Sequence, residues 1–315
     1  MWLYFLIFVL GLVVLARSSS LVVGSLTGLA RFFKISEYVV AFLFMSAATS
    51  MPELFIGLSS AVKGLSEFSL GNILGANLIN ITLVIGIVIF LGKGLQMGSK
   101  ISRRNFWIIS GLSFLPIFLA SDGLVSRGDG IVLLLAFWFY ILRLRKEREY
   151  FTKTINNVNT KKVFNMSVFK NFFHFFSGVG LLILSSYAIV WAGQNLASGI
   201  NLSVLSFSII FVAIGTTLPE LAFGIRARMM HHGSMAIGNS LGSVAFNSTL
   251  IIGLVSLVNP IEITVSVSLI VVALFLFLGL FLFNFFVYSK SLISRKEGLV
   301  LLLVYALFLI VQLFI

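Results

Sequence analysis

The sequence predicts an all-α integral membrane protein of ten transmembrane helices, arranged as two inverted five-helix repeats. Three observations carry that expectation. Of 315 residues, 59% are hydrophobic and only 10% charged, with a mean hydropathy of +1.11. Soluble domains carry roughly 25% charged residues, so much of this surface faces lipid. Apolar stretches long enough to span recur along the chain, with basic residues concentrated in alternate connections. Finally, segment 46–88 recurs without gaps at 213–255, an offset of 167 residues.

A spanning helix needs about 20 apolar residues. Candidates fall near 2–29, 36–62, 68–91, 105–121, 124–142, 172–196, 203–225, 234–257, 263–287 and 299–315. The first starts at Trp2, with no basic segment before it and no small-residue cleavage pattern after it, so it reads as a retained helix and not a signal peptide. Arg17 lies within it and can snorkel or face a cavity. The second and third hold one copy of the repeated motif. The fourth and fifth are joined by a connection bearing Asp122, with Asp129 close by. A basic polar stretch, 143–171, leads to the sixth and suits anionic headgroups. The seventh and eighth hold the second motif copy, with His231 and His232 in the loop between them. Adjacent histidines cannot make the i, i+4 pair of a zinc-binding helix, so these read as solvated. Glu262 precedes the ninth stretch, and the tenth closes the chain.

With the N-terminus outside, inward-facing connections hold 19 of the 22 Lys and Arg residues, and outward ones hold only Lys63 and Arg127. This bias predicts both termini outside a cell membrane and the basic linker on the cytoplasmic side. It also accounts for the net charge of +12 without invoking nucleic acid. The absence of cysteine excludes disulfides, thiol catalysis and Cys-based zinc sites.

The expected domains are 1–145, a first five-helix repeat; 146–171, the cytoplasmic linker; and 172–315, the second repeat. Fifteen of 43 aligned positions are identical, among them Thr49, Pro52, Glu53, Gly71, Asn72, Gly75 and Asn80 with their partners 167 residues on. Shared Leu and Val could arise between any two apolar helices, but Thr-x-x-Pro-Glu and Gly-Asn-x-Leu-Gly in one register could not. An odd number of spans per half sets the halves in opposite orientations. That plan places an ion site near the midplane, between the repeats.

The chemistry lies in Ala48-Thr49-Ser50-Met51-Pro52-Glu53 and Gly215-Thr216-Thr217-Leu218-Pro219-Glu220. A charge at bilayer depth costs about 2.5–3.5 kcal/mol, so two buried glutamates require a partner. Proline has no N–H to give; the carbonyls around Ser46–Thr49 and Ala213–Thr216 are therefore expected to lose helical partners, which a cation can replace. Thr49 and Ser50 share the glutamate's side of the helix, as Thr216 and Thr217 do in the second copy. Asn72, Ala76 and Asn80 form a stripe on the next helix, matched by Asn239, Ser243 and Asn247. The Gly71/Gly75 and Gly238/Gly242 pairs allow close helix approach and read as packing residues. An all-oxygen set selects hard cations such as Ca²⁺, Na⁺ or Mg²⁺, and two glutamates match one Ca²⁺ in charge.

At these residues the chain resembles the calcium/cation antiporter superfamily, above all the sodium/calcium exchangers with a Gly-Thr-Ser-x-Pro-Glu signature. The resemblance implies an inverted pair of repeats, ions held by the second, third, seventh and eighth helices, and sliding of the first and sixth. It implies Glu53 and Glu220 as central Ca²⁺ ligands, with backbone carbonyls of Thr49 and Thr216. Ser50 and Thr217, with the Ser46 and Ala213 carbonyls, fall at sodium-site positions, and Asn80 and Asn247 at midplane positions. Ala48 replaces the motif glycine, and Ala76 stands where many members have serine, whereas Ser243 keeps it. Asn247 stands where many relatives have aspartate.

The expectation is a transporter and not an enzyme: a Ca²⁺ exchanger driven by Na⁺, or alternatively by H⁺, without a resident cofactor. A passive channel fits less well, because channels line one axial pore with rings. An intramembrane enzyme fits least, since the spans contain neither HExxH nor a cysteine nucleophile.

Overall fold

The computed structural model describes residues 1–32, 45–92, 94–96, 100–151, 166–229, 233–264, 266–289 and 292–315. The chain is helical almost throughout. Helix α1 (Trp2–Phe32) is followed by the broken pair α2 (Met45–Thr49) and α3 (Met51–Val62). Next come α4 (Ser66–Ile79), a π-helical turn at Asn80–Val84, α5 (Ile85–Phe90), α6 (Lys100–Leu119) and α7 (Arg127–Phe151). The second half contains α8 (Met166–Gly199), α9 (Val204–Phe207), a π-helical turn at Ser208–Val212, α10 (Ala213–Thr216) and α11 (Leu218–Met229). It ends with α12 (Gly233–Ala245), a π-helical turn at Phe246–Ile251, α13 (Ile252–Val258), α14 (Val267–Ser289) and α15 (Arg295–Leu313). Over their described residues the apolar stretches read from the sequence are largely helical, although Leu124–Val125 at the start of the fifth form a strand and the helix of the ninth begins only at Val267. His231 and His232 lie outside the described residues, as does the central part of the basic linker.

This is a multi-pass membrane protein. Among the described residues, six helical segments are long and apolar enough to cross a membrane, and the bent pair Val204–Thr216 and Leu218–Met229, with a 40° break, makes up to seven. The segments differ in environment. Ser66–Phe90 and Met235–Val258 are 83% and 78% buried, whereas Trp2–Val22 and Arg295–Leu313 are only 33% and 39% buried. The two helical segments carrying the asparagine stripes therefore form the protein's interior, and the others wrap them against lipid. Phe277, Phe281 and Phe285 illustrate the outer surface: they stack along one exposed side of α14.

In an apolar cluster that also takes in Ile56 of α3, Phe68 of α4 and Phe207 of α9, helices α1 and α8 pack together around Phe8, Leu15, Val22, Leu182 and Ile189. Two glycines let them approach. A Cβ on Gly11 would meet Ile189, and one on Gly178 would meet Val22; these positions are 167 residues apart. Close approach at small residues is how helices associate in lipid, where apolar burial supplies little drive.

The same offset recurs in the strand pairings. Strand β1 (Leu95–Gln96) pairs antiparallel with β4 (Leu292–Ile293), and β2 (Leu124–Val125) pairs with β3 (Ile261–Glu262). Residue 95 maps to 262 and residue 125 to 292, so the two ribbons join corresponding segments of the halves, with registers that differ by two residues. Arginines sit at the adjoining helix ends, where orphan carbonyls attract cations. Arg295 Nε donates to the Gly92 carbonyl, Arg228 Nη2 to Gly94 at 2.9 Å, and Arg127 Nε to Leu257 at 3.2 Å. Arg17 is an exposed residue of α1.

Candidate ion-binding site

Each Pro-Glu motif sits at a helix break. Ser50, at φ −84° and ψ 8°, separates α2 from α3, and Thr217, at φ −84° and ψ 1°, separates α10 from α11. Pro52 and Pro219 occupy the first turn after the break, where proline's missing N–H costs least. Glu53 and Glu220 follow immediately, both fully buried. A carboxylate in a first helical turn also lies at the positive end of the backbone dipoles.

The backbone differs from expectation in one respect. The Ser46 carbonyl keeps a helical partner, Ser50 N–H at 3.0 Å, and accepts from Thr49 Oγ1 at 3.4 Å. The Ala213 carbonyl likewise accepts Thr217 N–H at 3.1 Å and Thr217 Oγ1 at 2.7 Å. Proline at position 52 withdraws its donor from the carbonyl four residues back, Ala48, which accepts Ser19 Oγ of α1 at 3.4 Å instead. The motif is thereby tied to α1.

The side chains cross between the halves. Thr216 Oγ1 donates to Asn72 Oδ1 at 3.1 Å. Its counterpart Thr49 lies 3.5 Å from Asn239 Oδ1 and accepts from Asn239 Nδ2 at 3.4 Å. Ser46 Oγ also reaches the Asn239 carbonyl, at 3.4 Å. Asn72 and Asn239 therefore hold the threonines of the opposite repeat. Helix α4 can lie this close to α10 because of its glycines: a Cβ on Gly75 would strike the Ile209 carbonyl and Ala213 Cβ, and one on Gly71 would strike Ser208 Oγ and the Leu205 carbonyl.

The repeats part at one position. Ser243 Oγ lies 3.3 Å from Thr49 Oγ1 and donates to Glu220 Oε1 at 3.5 Å. Its counterpart Ala76 offers no oxygen, and both carboxylate oxygens of Glu53 lack a hydrogen-bond partner. Ser50 Oγ, Glu220 Oε2, Asn247 Oδ1 and both amide atoms of Asn80 are also buried without a partner. Buried polar atoms are normally satisfied, and here the exceptions concentrate in the sequence-predicted set. Among the described residues no group of three His, Cys, Asp or Glu forms, so the charge in this set comes from two carboxylates and the rest is neutral oxygen.

Sequence reasoning did not single out Asn77 and Ser248. Asn77 Nδ2 donates to Ser248 Oγ at 2.7 Å, and Asn247 Nδ2 donates to Asn77 Oδ1 at 3.2 Å. It also did not find the π-helical turns, two of which begin at or beside Asn80 and Asn247. Such turns insert an extra residue into the ladder and recur at functional sites. The matched threonines beside them, Thr82 and Thr249, return their hydroxyls to the carbonyls of Leu78 and Ala245.

The chain is similar to known proteins over most of its length. The sodium/calcium exchanger protein family matches the chain over residues 3–145 and 170–314. The inner membrane protein YrbG of Escherichia coli (strain K12) is 28% identical over 261 residues, covering 81% of this chain and 80% of that protein. The sodium/calcium exchanger MaX1 of Methanosarcina acetivorans is 26% identical and covers 99% of both chains. Among solved structures, the sodium-calcium exchanger NCX_Mj soaked with 2.5 mM Na⁺ and 0.1 mM Ca²⁺ aligns with a TM-score of 0.63 at 26% identity, over 97% of each chain.

Proposed function

The chain belongs to the sodium/calcium exchanger protein family, and on that premise we propose that it exchanges Ca²⁺ for Na⁺ across a cell membrane. It is a secondary transporter, not an enzyme. Ten spans form two inverted five-helix repeats, 1–145 and 172–315, with both termini outside and the 146–171 linker in the cytoplasm. The ions bind one after the other at a midplane site between the repeats, which opens to alternate sides.

The observation that carries this reading is the set of buried, unpartnered oxygens around two fully buried glutamates. Glu53 and Glu220 supply a charge of −2 to one Ca²⁺, and the Thr49 and Thr216 carbonyls complete its shell. Ser50, Thr217, Ser243 and the carbonyls of Ser46 and Ala213 hold Na⁺ together with the same two carboxylates. Asn80 and Asn247 bound the site with neutral amides. A carbonyl has two lone pairs; at Ser46 and Ala213 one accepts a backbone N–H and the other a threonine hydroxyl, so each ligates while keeping its backbone bond once that hydroxyl turns away. Neutral and anionic oxygens together suit hard cations and not zinc or copper. Because both ions need the same carboxylates, one excludes the other, which is the minimum requirement for exchange. Support for the inverted arrangement comes from the 167-residue offset, which relates the Pro-Glu breaks, the ribbon pairings and the Gly11/Gly178 crossing. The α1–α8 pair, tied to the first motif through Ser19 and the Ala48 carbonyl, is the element that moves.

Radiolabelled Ca²⁺ flux into vesicles under an imposed Na⁺ or H⁺ gradient tests the reading. Uptake driven by the Na⁺ gradient is expected. Uptake that follows only the H⁺ gradient would assign Ca²⁺/H⁺ exchange instead, and flux without a counter-ion would assign a channel.

A further inference from the structure

Asn77 breaks the symmetry of the repeat. The three residues of its polar chain are Asn77, Asn247 and Ser248, and their counterparts at the 167-residue offset are Val244, Asn80 and Ile81. The first repeat thus supplies an amide that spans to the second, and the second returns only a valine. All three polar residues are fully buried.

The chain has a direction. Asn77 gives its N–H end to Ser248 Oγ at 2.7 Å, which turns its oxygen towards Asn247. That oxygen accepts Asn247 Nδ2 at 3.2 Å, and Asn247 Oδ1 is left as the free, buried end. Flipping the Asn247 amide would set two carbonyl oxygens face to face and lose a bond between two fully buried side chains. Reversing the whole chain would turn an N–H of Asn247 towards the ion. A cation therefore favours the observed direction. Asn80 has no such tether, since neither of its amide atoms has a partner.

We infer that Asn77 is a positioning residue that presets the Asn247 carbonyl oxygen for the ion, so the two midplane amides are unequal: Asn247 is fixed and Asn80 turns. This rests on the exchanger reading above. Asn77 is not itself a ligand, because both ends of its amide are engaged by Asn247 and Ser248.

Isothermal titration of purified protein with Ca²⁺ in Na⁺-free buffer tests it. Loss of an outer partner of a metal ligand typically weakens metal binding about 10–100-fold, and Asn77→Val, the residue the second repeat carries, is expected to fall in that range. Ser248→Ala is expected to weaken binding in the same direction by a smaller factor, and it carries the test where Asn77→Val does not fold. The decisive readout is coupling. In an Asn247→Ala background Asn77→Val (or Ser248→Ala) is expected to cost nothing further, and in an Asn80→Ala background it is expected to cost its full factor. Wild-type affinity in Asn77→Val, or an undiminished loss on top of Asn247→Ala, overturns the inference and leaves the exchanger reading intact. Absence of Ca²⁺ binding by the unsubstituted protein overturns the exchanger reading, and this inference with it.

Discussion

Thr216 and Asn72 meet across the two halves of the chain at 3.1 Å, and their counterparts Thr49 and Asn239 meet at 3.4–3.5 Å. Each glutamate-bearing break is thus held by the asparagine stripe of the other half. The Thr216 hydroxyl gives its proton to the asparagine, which fixes the rotamer of that side chain at the break.

Replacing either carboxylate is expected to stop exchange. Glu53→Gln and Glu220→Gln keep shape but remove one of the two charges that balance a divalent cation, and an amide in the same place offers one oxygen where the carboxylate offers two. Na⁺-driven Ca²⁺ uptake in vesicles should be abolished in both variants. Full activity in either would remove that residue from the site.

The Ala76/Ser243 mismatch predicts opposite effects on Na⁺. Ser243→Ala removes the hydroxyl between Thr49 and Glu220 and should raise the Na⁺ concentration that half-saturates exchange. Ala76→Ser adds the matching hydroxyl beside the unpartnered Glu53 and should lower it. One hydrogen bond's worth, about 1 kcal/mol, corresponds to about a fivefold shift. Na⁺ titration of Ca²⁺ flux measures both.

Breaking the crossed clamp should cost stability. Asn72→Ala removes the acceptor of Thr216 in a fully buried position, and a buried donor left without a good partner costs about 1–3 kcal/mol. A lower thermal unfolding midpoint in detergent is expected, and an unchanged midpoint would mean that the clamp contributes nothing.

Close approach of α4 to α10 should tolerate no added bulk. In Gly75→Val the new side chain meets the Ile209 carbonyl and Ala213, backbone and helix that cannot give way as a flexible side chain can. Overpacking of about 1–3 kcal/mol should appear as a lower unfolding midpoint together with loss of exchange. Gly111, whose Cβ would meet nothing within 4 Å, is the control, and Gly111→Ala should behave as wild type.

The two Pro-Glu motifs and the asparagine stripes were legible in the sequence because they recur with their neighbours in one register. The alignment of Asn72 with Asn80 along one unbroken helical stretch follows from spacing, but the side on which Thr49 sits does not, because the helix breaks at Ser50. Which threonine meets which asparagine does not follow from spacing either, because it depends on the depth and rotation of helices from opposite halves. The fate of the Ser46 carbonyl was misjudged for a local reason: proline withdraws its donor from the carbonyl four residues back, Ala48, and spares Ser46. Asn77 escaped notice because attention to recurring positions discards a residue whose counterpart is Val244. The π-helical turns leave no periodic signal, since one inserted residue does not disturb a helix that is apolar all round.

The central claim is that Ca²⁺ and Na⁺ compete for one site built on Glu53 and Glu220. Isothermal titration of the purified protein with Ca²⁺ at increasing Na⁺ measures this directly. The expected result is a single Ca²⁺ per chain whose apparent affinity falls steadily as Na⁺ rises, and no binding in Glu53→Gln or Glu220→Gln. Ca²⁺ binding that Na⁺ does not weaken, or that survives both substitutions, would contradict it.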